Sequence, residues 1–358
     1  MRRGVGSTEP RRSGGAGLAG AGAGSLVLVD ADVLGRQRTG DETYVLNLLR
    51  ELPAVGEGLR FAAVTRHPQL VPDGVDPVYL GTRSQELRMA VTMPLLIRRL
   101  RPALAHFQHS LPLRCRAPAI VTVHDVSFER DPAVMGRLDR LTFRWAVPRA
   151  VRKARRVLTV SERTKADVVE LYGVPPDDVV VTPNGVDPAF APGDGGGCAY
   201  LLYVGAIQAR KDPLAAAEAA RAVGLPLVVV GPEKEPPLAR ELERRGAELR
   251  GWVEKPELAT LYRGAAALVL PSRYEGFGLP VLEAMACGTP VVAAPDPALR
   301  EVAGDAALFA EPAALADAIR RVVAERARFA AAGIERAKRF SWRETARRTA
   351  EVYRESLS

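Results

Sequence analysis

Short apolar runs alternate with longer segments of helical period along this chain, and the alternation occurs twice. Runs of consecutive Val, Leu and Ile are typical of strands covered on both faces, and strands followed by helices build parallel sheets. A Gly-rich break at 191–197 separates the two rounds. A length of 358 residues fits about two domains. The sequence therefore predicts an α/β protein with two parallel-sheet domains that face each other across a cleft.

The apolar runs and the helical periods give bounds for the individual elements. The predicted strands are 25–30, 60–65, 104–107, 120–124, 157–160 and 179–182, followed by 200–204, 227–230, 249–251, 267–270 and 291–293. The predicted helices are 41–52, 137–151, 162–172, 213–223, 237–245, 279–286 and 312–331. Ser161 is the expected N-cap of the third helix. Residues 1–24 hold almost no large apolar side chain, so we expect a tail outside the fold.

Composition argues against a membrane-spanning protein, a disulfide-stabilised protein and a structural zinc protein. Charged residues make up 26% of the chain, and no apolar run approaches the roughly 20 residues that cross a bilayer. The cysteines, Cys115, Cys198 and Cys287, are far apart in sequence, so we expect no disulfide framework and no structural zinc. This cysteine usage indicates a cytoplasmic protein.

The positive charge is concentrated in one segment. The net charge is +8, and residues 83–156 contain 16 basic and 5 acidic residues. A solvated helix face explains such a segment, and an anionic membrane surface or a phosphorylated acceptor explains it as well. Nucleic acid is not an expected partner, because the segment lacks interleaved aromatic residues that would stack on bases.

Ligands of open parallel sheets bind beyond the carboxyl ends of the strands, so the loops after strands are the candidate sites. Glu275 and Glu283 follow the strand 267–270 and are eight positions apart. On one helix that spacing would set them about 80° apart, so we expect Glu275 in a loop and Glu283 on the helix. Gly276 and Gly278 allow the backbone to approach a ligand closely, and free amides at the helix start can bind hydroxyls or phosphate. An ordinary helix cap with a salt-bridge partner is the alternative.

A second candidate loop begins at Gly205, after the strand 200–204. Asp212 is the expected N-cap and Pro213 the first residue of the next helix. Arg210 and Lys211 therefore precede a helix N-terminus, which already favours anions, and a diphosphate is the natural ligand. Two exposed surface cations are the alternative.

The third candidate is His124, followed by Asp125, at the end of the strand 120–124. A histidine that opens onto a cleft can hydrogen-bond a substrate hydroxyl, whereas a core histidine is the alternative. The pair Asp30 and Asp32 has the Asp-x-Asp spacing of some metal sites, but no other ligand set accompanies it. We therefore expect no metal.

Together these segments resemble the retaining glycosyltransferases of family 4, which have the GT-B fold of two Rossmann-like domains. Glu275 to Glu283 is similar to the Glu-x7-Glu motif of that family, Arg210-Lys211 to its diphosphate-binding pair, and His124-Asp125 to its active-site histidine loop. Residues 38–52 resemble its N-terminal glycine loop and helix, 183–187 the end of its first domain, and 340–353 its terminal helix. The likeness implies an acceptor domain at 25–190, a linker at 191–197, a nucleotide-sugar domain at 198–340, and a helix at 341–358 that crosses back.

The resemblance also implies roles for single residues. Glu283 would bind the ribose, Glu275 and His124 the donor sugar, and Arg210 and Lys211 the diphosphate. Glu301 would lie beside the donor. The remaining donor-binding positions would be Gly40, Gly205, Gly276, Phe277, Gly278 and Leu279.

The implied reaction transfers a hexosyl group from a GDP- or UDP-linked sugar, without a metal, to a hydroxyl of a glycan or lipid-linked acceptor. Mannose is favoured because the start at Thr39-Gly40 resembles bacterial members that use GDP-mannose. The enzyme would work in the cytoplasm or at the inner membrane face. The alternatives are a nucleotide-sugar epimerase of the same architecture and a non-catalytic protein that binds a nucleotide sugar.

Overall fold

Two all-parallel sheets organise the protein in the computed structural model, which describes residues 24–36, 39–130, 136–194 and 198–358. The first sheet has the strand order β3-β2-β1-β4-β5-β6-β7. Its strands are β1 (Ser25–Asp30), β2 (Leu59–Thr65), β3 (Asp76–Tyr79), β4 (Leu104–Gln108), β5 (Ala119–Val123), β6 (Arg156–Thr159) and β7 (Val179–Val181). The second sheet has the order β10-β9-β8-β11-β12-β13. Its strands are β8 (Tyr200–Val204), β9 (Leu227–Val230), β10 (Glu248–Gly251), β11 (Ala265–Leu270), β12 (Val291–Ala293) and β13 (Leu308–Phe309).

Helices connect the strands and cover the sheets. Those of the N-terminal domain, built on the first sheet, are α1 (Thr39–Val55), α2 (Gln85–Leu87), α3 (Met93–Leu100), α4 (Ser127–Arg130), α5 (Arg137–Lys153) and α6 (Glu162–Tyr172). Those of the C-terminal domain, built on the second sheet, are α7 (Pro213–Val223), α8 (Pro236–Arg244), α9 (Lys255–Gly264), α10 (Leu279–Ala286), α11 (Pro297–Ala303), α12 (Leu315–Ala324) and α13 (Arg326–Ala337). The last helix is α14 (Trp342–Leu357).

The predicted strands are all present, each within two residues of its predicted bounds. Every residue of β5, β9 and β11 is buried, as continuous apolar runs predict for strands covered on both faces. The N-cap of α6 is also confirmed, since the hydroxyl of Ser161 accepts a hydrogen bond from the amide of Thr164 at 3.1 Å. Two strands lacked a sequence signal: β3 contains a proline and β13 has only two residues.

The prediction of one helix over 312–331 is wrong. Residues 312–314 form a single 3-10 turn, and the helix that follows breaks at Glu325, where φ is −100° and ψ is 25°. The break allows α12 to pack on α7 and on the second sheet while α13 packs on α10. Neither proline nor glycine marks the break, so the helical period alone did not reveal it.

The last helix, α14, lies in the N-terminal domain although it follows the C-terminal domain in sequence. It packs along α1, and the hydroxyl of Tyr353 lies 2.6 Å from Nδ1 of the buried His106 on β4. The segment before α14 runs beside the end of the N-terminal domain, where the amide of Val186 donates to the carbonyl of Phe340. The chain therefore passes between the two domains twice. Among the described residues, no helix combines the length and apolar character of a membrane span.

Candidate functional site

The candidate site lies where the strand order of the second sheet reverses. β8 and β11 are neighbours there, and the strands that follow them in sequence, β9 and β12, lie on opposite sides of this pair. Such a switch point leaves a crevice at the carboxyl ends of the strands. The loop 205–212 leaves β8 and the loop 271–278 leaves β11, so the two basic residues and the first glutamate of the sequence analysis meet at this crevice.

Lys211 and Glu275 form the central contact between these loops. Nζ of Lys211 lies 3.0 Å from Oε1 of Glu275, and both side chains are largely buried. The lysine stem crosses Gly205, where an added Cβ would lie 3.2 Å from Cδ of Lys211. Gly205 therefore leaves room for the lysine to reach Glu275.

Arg210 also joins these two loops. Its guanidinium donates to the carbonyl of Tyr274, and only 8% of the residue is exposed. Burial opposes the ionisation of Glu275, but the charges of Lys211 and Arg210 outweigh it and lower the pKa of that carboxyl. Burial likewise opposes ionisation of Asp125 in the N-terminal domain, yet Arg210 and the bond from Ser127 lower its pKa. Arg210 is therefore a fixed cation between two carboxylates, one from each domain.

Residues 276–279 present a row of free backbone amides at the start of α10. The amides of Gly276, Phe277, Gly278 and Leu279 donate to no acceptor among the described residues. The side chain of Phe277 is buried and packs edge-on against Phe340, with ring centroids 5.9 Å apart. Phe277 can therefore offer only its backbone to a ligand. Unpaired amides at a helix N-terminus bind anions and hydroxyls.

Glu283 lies on α10, as its spacing from Glu275 predicted. Its Oε2 accepts a hydrogen bond from the hydroxyl of Tyr262 at 2.9 Å. Burial raises the pKa of Glu283 to about 7, against the lowering effects of Tyr262 and Lys255. A carboxyl of this kind changes its charge near neutral pH.

His124 follows β5 and brings the N-terminal domain to the same place. Its carbonyl oxygen lies against Gly276, where an added Cβ would approach it to 2.2 Å. The ring is buried, and Nε2 lies 2.9 Å from Oε1 of Gln108. Burial lowers the pKa of His124 to about 4, so the ring is neutral at neutral pH and can exchange hydrogen bonds with a hydroxyl.

The amino-acid sequence matches known glycosyltransferases in both domains. The profile described as "Glycosyltransferase Family 4" matches residues 38–190, and the one described as "Glycosyl transferases group 1" matches residues 199–325. The O-antigen chain mannosyltransferase B of Escherichia coli is 30% identical over 268 residues, which are 66% of this chain and 70% of that protein. The chain is a family 4 glycosyltransferase.

This family 4 glycosyltransferase is also similar to a second curated protein in sequence and to a solved structure in fold. The D-inositol 3-phosphate glycosyltransferase of Frankia alni is 36% identical over 241 residues, or 57% of this chain, and the chain spans 59% of that relative. A crystal structure of Anabaena HepE in complex with UDP and glucose covers 92% of this chain and all of that chain, with a TM-score of 0.72 and 16% identity. That likeness shows the fold, and the expected GT-B arrangement of two parallel-sheet domains is confirmed.

Two residues of the glycosyltransferase differ from expectation, and a third makes contacts that were not predicted. Asp212 precedes α7, but its backbone is left-handed (φ 46°, ψ 48°) and its side chain caps no amide. Gly40 lies in the first turn of α1 instead of a loop, with no atom within 4 Å of an added Cβ. Glu301, which the resemblance implies lies beside the donor, has a carboxylate that is already bonded to the other domain. Its carboxylate accepts hydrogen bonds from the amides of Glu162, at 2.9 and 3.0 Å, and Arg163, at 3.5 Å, and so joins α11 to α6 of the other domain.

A cluster of polar side chains beside His124 was not predicted from the sequence. One ligand atom each from Asp41, His109 and His124 lies within 4.8 Å of the others. His109 follows β4 with φ of 58°, and its Nδ1 is buried without a hydrogen-bond partner in the described part of the chain. A histidine two residues beyond the predicted strand 104–107 was the available signal. Asp30 and Asp32, by contrast, are held by arginines, with Arg88 Nη1 at 3.0 Å from Asp30 and Arg66 Nε at 2.9 Å from Asp32.

Proposed function

We propose that the protein transfers a hexosyl group, with retention of the anomeric configuration, from a nucleotide diphosphate sugar to an acceptor hydroxyl. The proposal rests on one observation above all. Lys211, Arg210 and the unpaired amides of residues 276–279 converge on the crevice beside Glu275. Two cations and a row of free donors fit a diphosphate and sugar hydroxyls.

The diphosphate is the leaving group, so fixed positive charge is the main catalytic contribution of the chain. The acceptor oxygen bonds to the anomeric carbon, the bond from that carbon to the diphosphate oxygen breaks, and the acceptor proton passes to the departing phosphate. An ammonium has three donors, so Lys211 can bind Glu275 and a phosphate oxygen together. The ammonium of Lys211 is already held beside Glu275 before the donor binds. Little free energy is therefore spent on moving this cation into place during the reaction.

The other donor contacts follow from the same arrangement. Glu283 binds ribose hydroxyls, Glu275 and His124 bind the sugar, and the amides of residues 276–279 hold its remaining hydroxyls. Gly205 and Gly40 let backbone and donor come close. We assign no metal to the reaction, because two cations are already at hand; the group of Asp41, His109 and His124 makes dialysis against EDTA the test of that assignment. A loss of activity that Zn²⁺ restores would contradict it.

Mannose is the donor sugar we favour. The support is the O-antigen mannosyltransferase among the relatives, while the UDP and glucose bound to HepE keep UDP-linked donors in the test. The acceptor we propose is a glycan or a lipid-linked glycan. We further propose that the enzyme works in the cytoplasm and associates with the inner membrane face through the basic segment 83–156.

Product analysis tests the activity. The protein is incubated with GDP-mannose, UDP-glucose or UDP-galactose and a panel of soluble glycan acceptors, and nucleoside diphosphate is measured beside the new glycoside. A transferase releases both in equal amounts, and the anomeric coupling constant of the product reports retention. Conversion of the donor sugar without an acceptor would indicate an epimerase. Donor binding without any product would indicate a binding protein.

A further inference from the structure

A basic cavity of about 460 Å³ lies in the N-terminal domain beside the starts of β5 and β6. It is bounded by the loop before β5 and by the end of α5 with the turn before β6. Ala119 and Arg155 of its lining adjoin the amino ends of β5 and β6, whereas His124 follows the carboxyl end of β5. Five residues of strand separate the two ends by roughly 16 Å. The cavity is therefore distinct from the candidate donor site.

Four cations and no carboxylate line this cavity: Arg114, Arg149, Lys153 and Arg155. In the part of the chain that the structure describes, none of the four has an ion-pair partner within 4.0 Å. Arg149 is held in place by hydrogen bonds to three loop carbonyls, the shortest being 2.8 Å to Leu113. Carbonyls position a guanidinium without neutralising its charge. The cavity thus has the chemistry of a site for a phosphate-bearing ligand.

Exposed apolar side chains border the same cavity. Leu113, at its rim, is 47% exposed, and Trp145, whose ring lies 5.5 Å from the Arg149 guanidinium, is 57% exposed. Leu141 and Leu138 continue this ridge along α5, with exposures of 65% and 80%. Positions 138, 141 and 145 share one helix face because their spacing is three and four residues.

We propose that this cavity binds the phosphate headgroup of an anionic phospholipid while the ridge of Leu113, Leu138, Leu141 and Trp145 enters the membrane interface. A free phosphate ion would use the cations alone. A lipid uses both features, because its headgroup is anionic and its glycerol and acyl region is apolar, and tryptophan favours that boundary. The inference rests on the proposed membrane association and is independent of the chemistry in the crevice.

Vesicle binding of the full-length protein tests the inference. Vesicles of phosphatidylglycerol and phosphatidylcholine are compared with vesicles of phosphatidylcholine alone in a sedimentation assay. The triple variant R114A/K153A/R155A is matched by R221A/R240A/R339A, which removes three exposed arginines of the C-terminal domain that have no ion-pair partner among the described residues. We expect the first variant to bind the anionic vesicles on the order of a hundredfold more weakly, and the second to bind like the wild type.

The fluorescence of Trp145 reports whether the ridge enters the membrane. Anionic vesicles are expected to shift the tryptophan emission to shorter wavelength, and W145F to abolish the shift, whereas W252F retains it. Trp252 is a suitable control because it is 44% exposed in the other domain. Transfer to a soluble acceptor should be unchanged in R114A/K153A/R155A, since the cavity lies away from the crevice.

The outcomes separate this inference from the proposals on which it rests. Full vesicle binding by R114A/K153A/R155A would overturn the cavity as the headgroup site and leave membrane association standing. Failure of the wild type to bind either kind of vesicle would overturn both. If inorganic phosphate raises the melting temperature of the wild type but not of the triple variant, while vesicles do not bind, the cavity is a site for free phosphate and the lipid assignment is wrong.

Discussion

The ammonium of Lys211 lies 3.0 Å from the carboxylate of Glu275, and this contact joins the loops that follow two neighbouring strands of the second sheet. Both side chains are largely buried, so their positions are set before any ligand enters the crevice. A buried pair contributes less to net stability than its distance suggests, because desolvation offsets the attraction. In the proposed reaction, the pair would hold a cation in a fixed position where negative charge develops.

Replacement of this cation tests its role directly. We expect K211A to lower kcat by up to about a thousandfold, since one cation near a developing charge is worth roughly 4 kcal/mol at an effective dielectric constant near 20. Initial rates with saturating donor measure the effect, and circular dichroism verifies the fold. The exposed Lys234 provides the matched control K234A, which should keep full activity.

A folded K211A protein with wild-type turnover would remove Lys211 from the reaction. The double variant K211A/E275Q separates lost catalysis from the effect of an orphaned carboxylate, because it removes both charges. If Lys211 acts on the diphosphate, the double variant is at least as inactive as K211A, because Glu275 also binds the donor sugar in the proposed reaction. Recovery of activity in the double variant would assign the loss in K211A to the orphaned carboxylate.

Glu283 predicts a pH dependence of stability. Its pKa is raised to about 7 in the folded protein, against an ordinary value of 4.5. The folded state therefore binds the proton more tightly than the unfolded state, and stability falls as pH rises from about 4.5 to 7. The expected loss is about 3 kcal/mol at pH 8. E283Q should escape this loss, so denaturation by urea should show it more stable than the wild type at pH 8 and nearly equal at pH 4.

The same variant should bind donor more weakly, because a carboxylate bonds ribose hydroxyls more strongly than an amide does. Calorimetry with the nucleoside diphosphate measures that loss. Gain of stability together with loss of affinity is the expected signature of a group kept for binding. Equal stability of E283Q and wild type at pH 8 would contradict the raised pKa.

The carboxylate of Glu301 links the two domains, so its removal is expected to loosen their arrangement. Its carboxylate accepts bonds from the first amides of α6, next to a second interdomain bond from the Ser161 hydroxyl to the Gly276 carbonyl at 2.6 Å. Loss of such a cap costs about 1 to 2 kcal/mol. We expect E301A to populate an open arrangement and to show a larger radius of gyration in X-ray scattering without donor. E311A, an exposed glutamate of the same domain, is the control; identical profiles for all three proteins would contradict the link.

Much of the fold followed from the sequence because buried parallel strands have a strong signature. Runs such as Leu227–Val230 are apolar at every position, and that pattern survives any packing arrangement. The sequence pattern did not reveal elements that are very short or whose bounds depend on tertiary packing. β13 is too short for a pattern, and the break at Glu325 depends on the different surfaces that α12 and α13 cover.

The candidate site was predictable to the extent that its residues are close in sequence. Arg210 and Lys211 precede a helix, and Glu275 and Glu283 flank the start of another, so local rules located them. Contacts between distant segments gave no such signal. Tyr262 reaches Glu283 from a different helix, and the bonds that occupy Glu301 come from the other domain, so only the tertiary structure reveals them.

The protein is expected to lose stability in acid because His106 is buried in its neutral form. The ring is fully buried between the hydroxyls of Tyr353, at 2.6 Å, and Thr122, at 2.7 Å, and burial lowers its pKa to about 3. The unfolded chain binds this proton near pH 6.5, so the contribution is present above that pH and is lost as pH falls toward 3. Each pH unit in that window costs up to about 1.4 kcal/mol.

Two variants distinguish the protonation of His106 from the packing of α14 against it. In H106Q the slope of unfolding free energy against pH should be shallower than in the wild type between pH 6.5 and 4.5, with the remainder supplied by His124 and other groups. Y353F should lower stability by about 1 to 3 kcal/mol at every pH, because it leaves Nδ1 of His106 without its partner, and it should keep the wild-type slope. An unchanged slope in H106Q would show that acid acts elsewhere. Loss of the slope in Y353F would show instead that α14 detaches, and His106 becomes exposed, once that hydrogen bond is gone.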